Sequence, residues 1–205
     1  MDNLNDSFNA DSTSTAGAGG GLPLPKERNL YFTSQVDQAS IAALSRSIIE
    51  INANDVLLKK QYGVYGIEYK PNPVKIYIDS YGGHVYQCFG LLSIMESSAT
   101  PIHTIVTGAA MSCGFMMAIS GHKRFAYKNA TLMYHQVSSW VGGKLKDMTE
   151  DIEETKRLQD VIEALTLKKT NISLTILKDV YSRKFDWYMD AGQALKNGCI
   201  DAIIS

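Results

Sequence analysis

The sequence predicts an α/β layered fold with mostly parallel strand pairing. Short apolar runs of β type (Val74–Ile78, Ile102–Val106, Ala130–His135) alternate with longer stretches whose apolar residues recur at helical spacing. One short segment, Ser112–Ser120, is apolar on nearly every face, as a helix buried inside such a layered core would be. No internal repeat points to a solenoid instead.

Taken in order, Arg28–Thr33 reads as a strand. Asp37–Asn52 reads as a helix: Ile41, Leu44, Ile48 and Ile49 recur at helical spacing after Asp37, which is placed to cap it. Residues 53–73 carry Gly63, Gly66, Pro71 and Pro73 and read as a loop or short hairpin. Val74–Ile78 is a strand. Val85–Glu96 is a helix with Cys88, Leu91, Leu92 and Met95 on one side. The strand Ile102–Val106 precedes the buried helix, and the short strands Arg124–Tyr127 and Ala130–His135 follow it. Gly142-Gly143 marks a flexible strand or turn. Asp147–Lys169 is a long amphipathic helix with Met148, Ile152, Leu158, Ile162 and Leu165 on one face. Leu174–Ser182 and Ala191–Asn197 are shorter helices, the second closed by Gly198, and Cys199–Ile204 is a final strand. Residues 1–25, rich in Asn, Asp, Ser, Thr, Ala and Gly, cannot repay the entropy of ordering and read as a disordered tail or removable propeptide. One domain, residues 26–205, remains.

Bulk properties narrow the function. With 45% hydrophobic and 20% charged residues, the 205-residue chain has enough apolar content for a real core. Its formal net charge of −1 argues against a nucleic-acid or anionic-membrane surface. No apolar run approaches a membrane span, and no signal pattern opens the chain. Three scattered cysteines, Cys88, Cys113 and Cys199, suggest free thiols in a reducing, cytoplasmic compartment. The four histidines do not fall at metal-ligand spacing, so no metal site is expected.

The chemistry concentrates in three places. Lys75-Ile-Tyr-Ile-Asp-Ser-Tyr-Gly82-Gly83 runs a strand into a glycine pair, where backbone N–H groups can approach a ligand with no Cβ in the way. Thr107-Gly-Ala-Ala-Met-Ser112-Cys-Gly-Phe115 sets a serine among small residues at the start of the buried helix. Leu132-Met-Tyr-His135-Gln136 ends a β run in a histidine. A serine hydroxyl needs a base to become a nucleophile, and a helix start offers N–H groups to an oxyanion, so the set reads as a serine hydrolase. Singly, each has a structural reading: a back-bonded helical serine, a satisfied strand-end histidine, a plain turn. If the orienting acid lies downstream, the chain order Ser…His…Asp differs from the three large hydrolase classes. Ala-Met-Ser-Cys-Gly also lacks the first glycine of a nucleophile elbow.

Together with Lys123-Arg-Phe125 and Met133-Tyr-His-Gln136, these runs resemble the proteolytic subunit of the Clp protease (ClpP). That family's patterns there are roughly I-N-S-P-G-G, G-x-A-A-S-M-G, K-R-F and M-I-H-Q-P. The resemblance spans residues 26–205. It implies a ClpP/crotonase-type spiral of β-β-α units with a protruding long helix, and serine endopeptidase activity on unfolded polypeptides or short peptides. By the same resemblance Ser112 is the nucleophile and His135 the general base, and the N–H groups of Gly83 and Cys113 form the oxyanion hole. Gly82, Gly142 and Gly143 would lie along the substrate strand. Counting back from Gly198-Cys-Ile-Asp201 places the third triad member at Asp186, with Asp179 as rival and Asp190 a weaker one. The resemblance also implies a homo-oligomer of two stacked seven-membered rings, an ATP-dependent unfoldase partner and no cofactor. A non-catalytic ring subunit beside an active paralogue and a crotonase-like acyl-CoA enzyme are the alternatives.

The departures from the family fall at the surface and the turn. Tyr81 stands where proline is usual before the glycine pair. Lys75 and Ser97 occupy places where docking surfaces carry apolar side chains, although Tyr77 is kept. Phe185 precedes Asp186 where a charged residue is common. The axial-loop segment ahead of the first strand has no recognisable counterpart, and residues 53–73 exceed the usual link.

Overall fold

The computed structural model describes residues 25–139 and 142–205. The predicted tail lies almost wholly outside them. A mixed seven-stranded sheet is built around a parallel core in the order β1 (Asn29–Phe32), β2 (Val74–Ser80), β3 (Ile102–Met111), β4 (Lys123–Tyr127) and β7 (Ala202–Ile204). The remaining two strands, β5 (Thr131–Tyr134) and β6 (Trp187–Asp190), form an antiparallel pair that joins the sheet through β3. This is the α/β architecture expected of a ClpP-type fold. Among the described residues no helix is long and apolar enough to cross a membrane.

β3 is the element that creates the site. Its first half pairs with β4, through His103 to Val106, and its second half pairs with β5, through Ala109 to Met111. One strand therefore changes neighbour half-way along. The sequence reading ended this strand at Val106, because Gly108-Ala-Ala has no β propensity. The structure carries it on to Met111, held by backbone pairing and by Asp79, whose carboxylate accepts the Ala109 N–H at 2.8 Å.

Two further expectations are corrected. The segment 53–73 is not mainly a loop or hairpin: α1 runs Gln38–Val64. Its buried residues, Ile41, Leu44, Ile48, Ile51, Asp55 and Leu58, form one unbroken stripe spaced three and four apart. Asp55 stands on that stripe and breaks its apolar pattern in the sequence. It is buried because Arg28, Tyr69 and Thr100 all donate to its carboxylate. The second correction is β6, a strand the sequence reading did not identify.

Between β2 and β3 lies α2 (Val85–Ser97), and α3 (Cys113–Ile119) follows β3 and is buried throughout. The long helix α4 (Leu145–Lys169) buries only Leu158, Gln159, Ile162 and Thr166. Its first three turns bury no residue and leave Leu145 and Ile152 exposed. α5 (Leu174–Arg183) and α6 (Ala191–Lys196) complete the chain, each capped at its N-terminus by a side chain, Ser173 and Asp190 respectively.

Candidate active site

Ser112 is the single residue between the end of β3 and the start of α3. Its backbone lies at φ 55°, ψ −119°, a region that non-glycine residues rarely enter and that costs on the order of 1–3 kcal/mol. The surroundings over-determine it. The Ser112 N–H donates to the Met133 carbonyl at 3.0 Å, and α3 is locked by the burial of Phe115, Met116 and Met117. The strain sets the serine at the mouth of an open cleft. Gly83, Val85, Ser112, Cys113, Met116, Tyr134, His135, Val137, Ser138 and Ile162 line it.

His135 follows directly on β5, and Asp186 directly precedes β6. The register of that antiparallel pair matches Thr131 with Asp190 and Tyr134 with Trp187. Extended by one residue, it sets His135 opposite Asp186. The His135 Nδ1 lies 3.9 Å from an Asp186 carboxylate oxygen, wider than a direct hydrogen bond. Such contacts are often loose before substrate binds. The rival carboxylates are engaged elsewhere. Asp179 pairs with Arg183 one turn on in α5 at 3.1 Å, and Asp190 caps α6 by accepting the Gln193 N–H at 2.7 Å.

The glycine turn is strapped from the opposite side. Val36 and Gly83 form a parallel bridge, in which the Val36 N–H donates to the Gly82 carbonyl and the His84 N–H to the Val36 carbonyl, both at 2.8 Å. That bridge uses the neighbours' groups, so the N–H and C=O of Gly83 itself face away from Val36, toward Cys113, whose thiol donates to the Gly83 carbonyl at 3.3 Å. Gly82 (φ +98°) leaves no room for a side chain, since a Cβ there would sit 2.7 Å from the Ser112 Cβ. Ser80, buried, ties the turn down: its hydroxyl donates to the Ser34 carbonyl at 2.6 Å and accepts the Gly82 N–H at 3.2 Å.

The sequence-predicted residues Gly83, Ser112, Cys113 and His135 thus meet at one cleft, with Asp186 behind the histidine. Gly142 and Gly143 are exposed just ahead of α4 and do not line it.

Three residues that shape the site were not singled out from the sequence. Val36 acts through its own backbone groups and Ser80 through a hydroxyl turned onto the backbone of others, contacts that no motif displays. Gln159 of α4 accepts the Val137 N–H at 2.8 Å, and its amide donates to the Tyr134 hydroxyl at 3.4 Å, bracketing His135 on both sides. A glutamine beside Leu158 and Ile162 on the apolar face of the helix is the signal that would have found it.

A family model described as Clp protease matches residues 24–205. The chain belongs to the Clp protease family. Curated relatives agree. The ATP-dependent Clp protease proteolytic subunit of Deinococcus radiodurans is 31% identical over 134 residues, which are 64% of this chain and 64% of that protein. A second proteolytic subunit from Treponema pallidum is 29% identical over 64% of this chain and 66% of its own length. One from Bacillus licheniformis is 32% identical over 64% of this chain and 69% of its own. The chain therefore spans about two thirds of the length of the Clp relatives it matches. Family membership makes it a ClpP-like protein.

Proposed function

We propose that this protein is a serine endopeptidase that cleaves unfolded polypeptides or short peptides through Ser112, His135 and Asp186. The observation that carries the reading is the β5–β6 register, which faces Asp186 toward the Nδ1 of a histidine on the same cleft as a strained serine. With Nδ1 turned to the carboxylate, Nε2 is the ring nitrogen left to take the serine proton.

The Ser112 Oγ attacks the peptide carbonyl while His135 accepts its proton. The tetrahedral oxyanion forms against the N–H groups of Gly83 and Cys113, a stabilisation of about 3 kcal/mol per donor. Collapse breaks the C–N bond as His135 returns the proton to the leaving amine. Water then hydrolyses the acyl-enzyme by the same route. An extended substrate would run past Gly82 and, beyond the cleft itself, toward Gly142-Gly143, read by its backbone more than its side chains.

By family analogy the chain works as a homo-oligomeric ring subunit, in two stacked rings, fed by an ATP-dependent unfoldase. The first half of α4 supports a subunit contact, since Leu145 and Ile152 are exposed there. A cytoplasmic site is supported by three cysteines that are all free and buried.

A labelled fluorophosphonate tests the mechanism. It should modify the wild-type protein at Ser112, and the Ser112→Ala variant should neither label nor cleave peptide while keeping its circular dichroism. Undiminished cleavage by that variant would refute the serine mechanism. An unlabelled, inactive but ring-forming wild type would favour the non-catalytic subunit.

A further inference from the structure

Cys113 enters the proposed chemistry through its N–H alone, and its side chain has a separate neighbourhood. Its thiol donates to the Gly83 carbonyl at 3.3 Å. Cys88, in the first turn of α2, points its thiol at the Cys113 carbonyl from 3.6 Å. Both are buried, at 0% and 2% exposure, yet Cys113 lines the cleft that holds Ser112 and His135. Two thiols therefore sit together beneath the oxyanion turn, and one of them borders solvent.

The two thiols are not equivalent. A hydrogen bond with the Cys88 thiol holds the Cys113 thiol below its ordinary range despite burial. The same hydrogen bond, with burial, pushes Cys88 well up. Cys113 is the better nucleophile, and Cys88 stays protonated until a sulfur electrophile appears beside it. Cys199, between α6 and β7, is a neighbour of neither in the hydrogen bonds of the described residues, and burial pushes its thiol up to about 12.

We propose that Cys113 and Cys88 form an oxidisable pair, in which a hydroperoxide entering the cleft oxidises Cys113 and Cys88 resolves it to a disulfide that disables the oxyanion turn. In the first step the Cys113 thiolate attacks the peroxide: an S–O bond forms, the O–O bond breaks, and the second oxygen leaves as water or alcohol. In the second, the Cys88 sulfur attacks the sulfenic sulfur of Cys113. The S–S bond forms, the S–O bond breaks, and the hydroxyl leaves as water with the Cys88 proton. Overall two thiols are oxidised and one peroxide is reduced. Once joined to Cys88, the Cys113 sulfur has no hydrogen for the Gly83 carbonyl, and the starts of α2 and α3 are tied. The loss of activity rests on the peptidase reading; formation of the disulfide does not.

The test exposes the folded protein to hydrogen peroxide, then removes it and alkylates under denaturing conditions. One thiol of three, Cys199, should remain alkylatable, and the intact mass should fall by two hydrogens. Non-reduced digestion should yield one joined peptide containing Cys88 and Cys113. Dithiothreitol should restore all three thiols and peptide cleavage together. Cys88→Ala, checked for native circular dichroism, should form no cross-link; its Cys113 should instead gain two oxygens, and its cleavage should not recover with dithiothreitol. Three alkylatable thiols in the peroxide-treated wild type, or a cross-link involving Cys199, would overturn the pair. A Cys88–Cys113 cross-link with undiminished cleavage would overturn the inhibition. A protein that cleaves nothing before peroxide would refute the peptidase reading while the mass measurements still decide the disulfide.

Discussion

Adding one methyl group at Gly83 separates the strap behind the glycine turn from everything else in the site. A Cβ built there would lie 2.2 Å from the Val36 carbonyl oxygen, 2.9 Å from its carbon and 3.0 Å from its nitrogen. All are backbone atoms, so no side chain can swing aside. Ordinary contact begins near 3.5 Å, and the turn must retreat from Val36 by about 1 Å. Gly83 also sits at φ +148°, where a side chain costs on the order of 1–3 kcal/mol. The two strap hydrogen bonds add about 1 kcal/mol each. Gly83→Ala should therefore lose about 3–5 kcal/mol in urea unfolding. It should also carry the Gly83 N–H away from the oxyanion, lowering turnover of a short peptide by about 10²–10³-fold at a temperature where circular dichroism shows it folded. Gly90→Ala is the matched control. It makes the same change inside α2, where an added Cβ meets nothing within 4 Å, and should gain up to about 1 kcal/mol with turnover unchanged. If Gly83→Ala keeps turnover within about threefold of wild type, the strap does not position an oxyanion donor and the reasoning fails.

Asp186→Asn should lower turnover on the order of 10³-fold or more with no change in native mass, whereas Asp179→Asn, which breaks only an exposed pair with Arg183, should stay within about twofold; the reverse ranking would show that β6 does not orient His135. Burial alone would raise the Asp55 carboxyl, but the hydrogen bonds from Arg28, Thr100 and Tyr69 outweigh it and hold it below its ordinary value. Its contribution to stability is therefore complete above the unfolded pKa, near 4, and lost as pH falls through the lower folded value. Asp55→Ala should cost about 3 kcal/mol at neutral pH and progressively less below about pH 4, and a pH-independent difference in melting temperature would refute the assignment. If, as the family resemblance implies, Lys75 and Ser97 stand where a docking surface carries apolar side chains, each such anchor being worth about 2 kcal/mol, a generic Clp unfoldase with ATP should drive degradation of a folded, tagged substrate only well above micromolar concentration; efficient degradation below it would refute that weakening, the exposed Tyr31 stacked on Tyr77 being the apolar contact left to supply it.

The fold was legible where one period ran without interruption. α2, α4, α5 and the strand β2 declare themselves by apolar spacing, and the layered class follows from their alternation with strands. It was not legible where a tertiary contact overrides local chemistry. Asp55 interrupts the apolar spacing just past Asn52, nothing local reveals Arg28 at the other side of the buried pair, and Gly63, Gly66, Pro71 and Pro73 give the stretch a loop's composition, so the last three turns of α1 stay hidden. The end of β3 is written in Gly108-Ala-Ala, residues with no strand preference, and exists because two neighbours and the Asp79 carboxylate hold it. β6 has four residues, of which only Met189 is buried, so it carries too little pattern to be seen without its partner β5.

The candidate site divides along the same physical line. Side-chain chemistry shows in a sequence, and so Ser112, His135 and the glycine pair stand out from their surroundings. Choosing between Asp186 and Asp179 does not reduce to spacing, because it depends on which residue an antiparallel register brings opposite position 135. Backbone support is less visible still. Tyr81, in place of a proline before the glycine pair, reads as a loosening of the turn, yet its side chain is 77% exposed and the turn is held by other groups. The Val36 bridge fixes it from behind and the Ser80 hydroxyl from below, both independent of what stands at position 81. A proline would stiffen such a turn by removing freedom from the unfolded chain. Here the same conformation is imposed by hydrogen bonds in the folded one, so the rigidity an oxyanion turn needs is supplied by contacts that a motif cannot record.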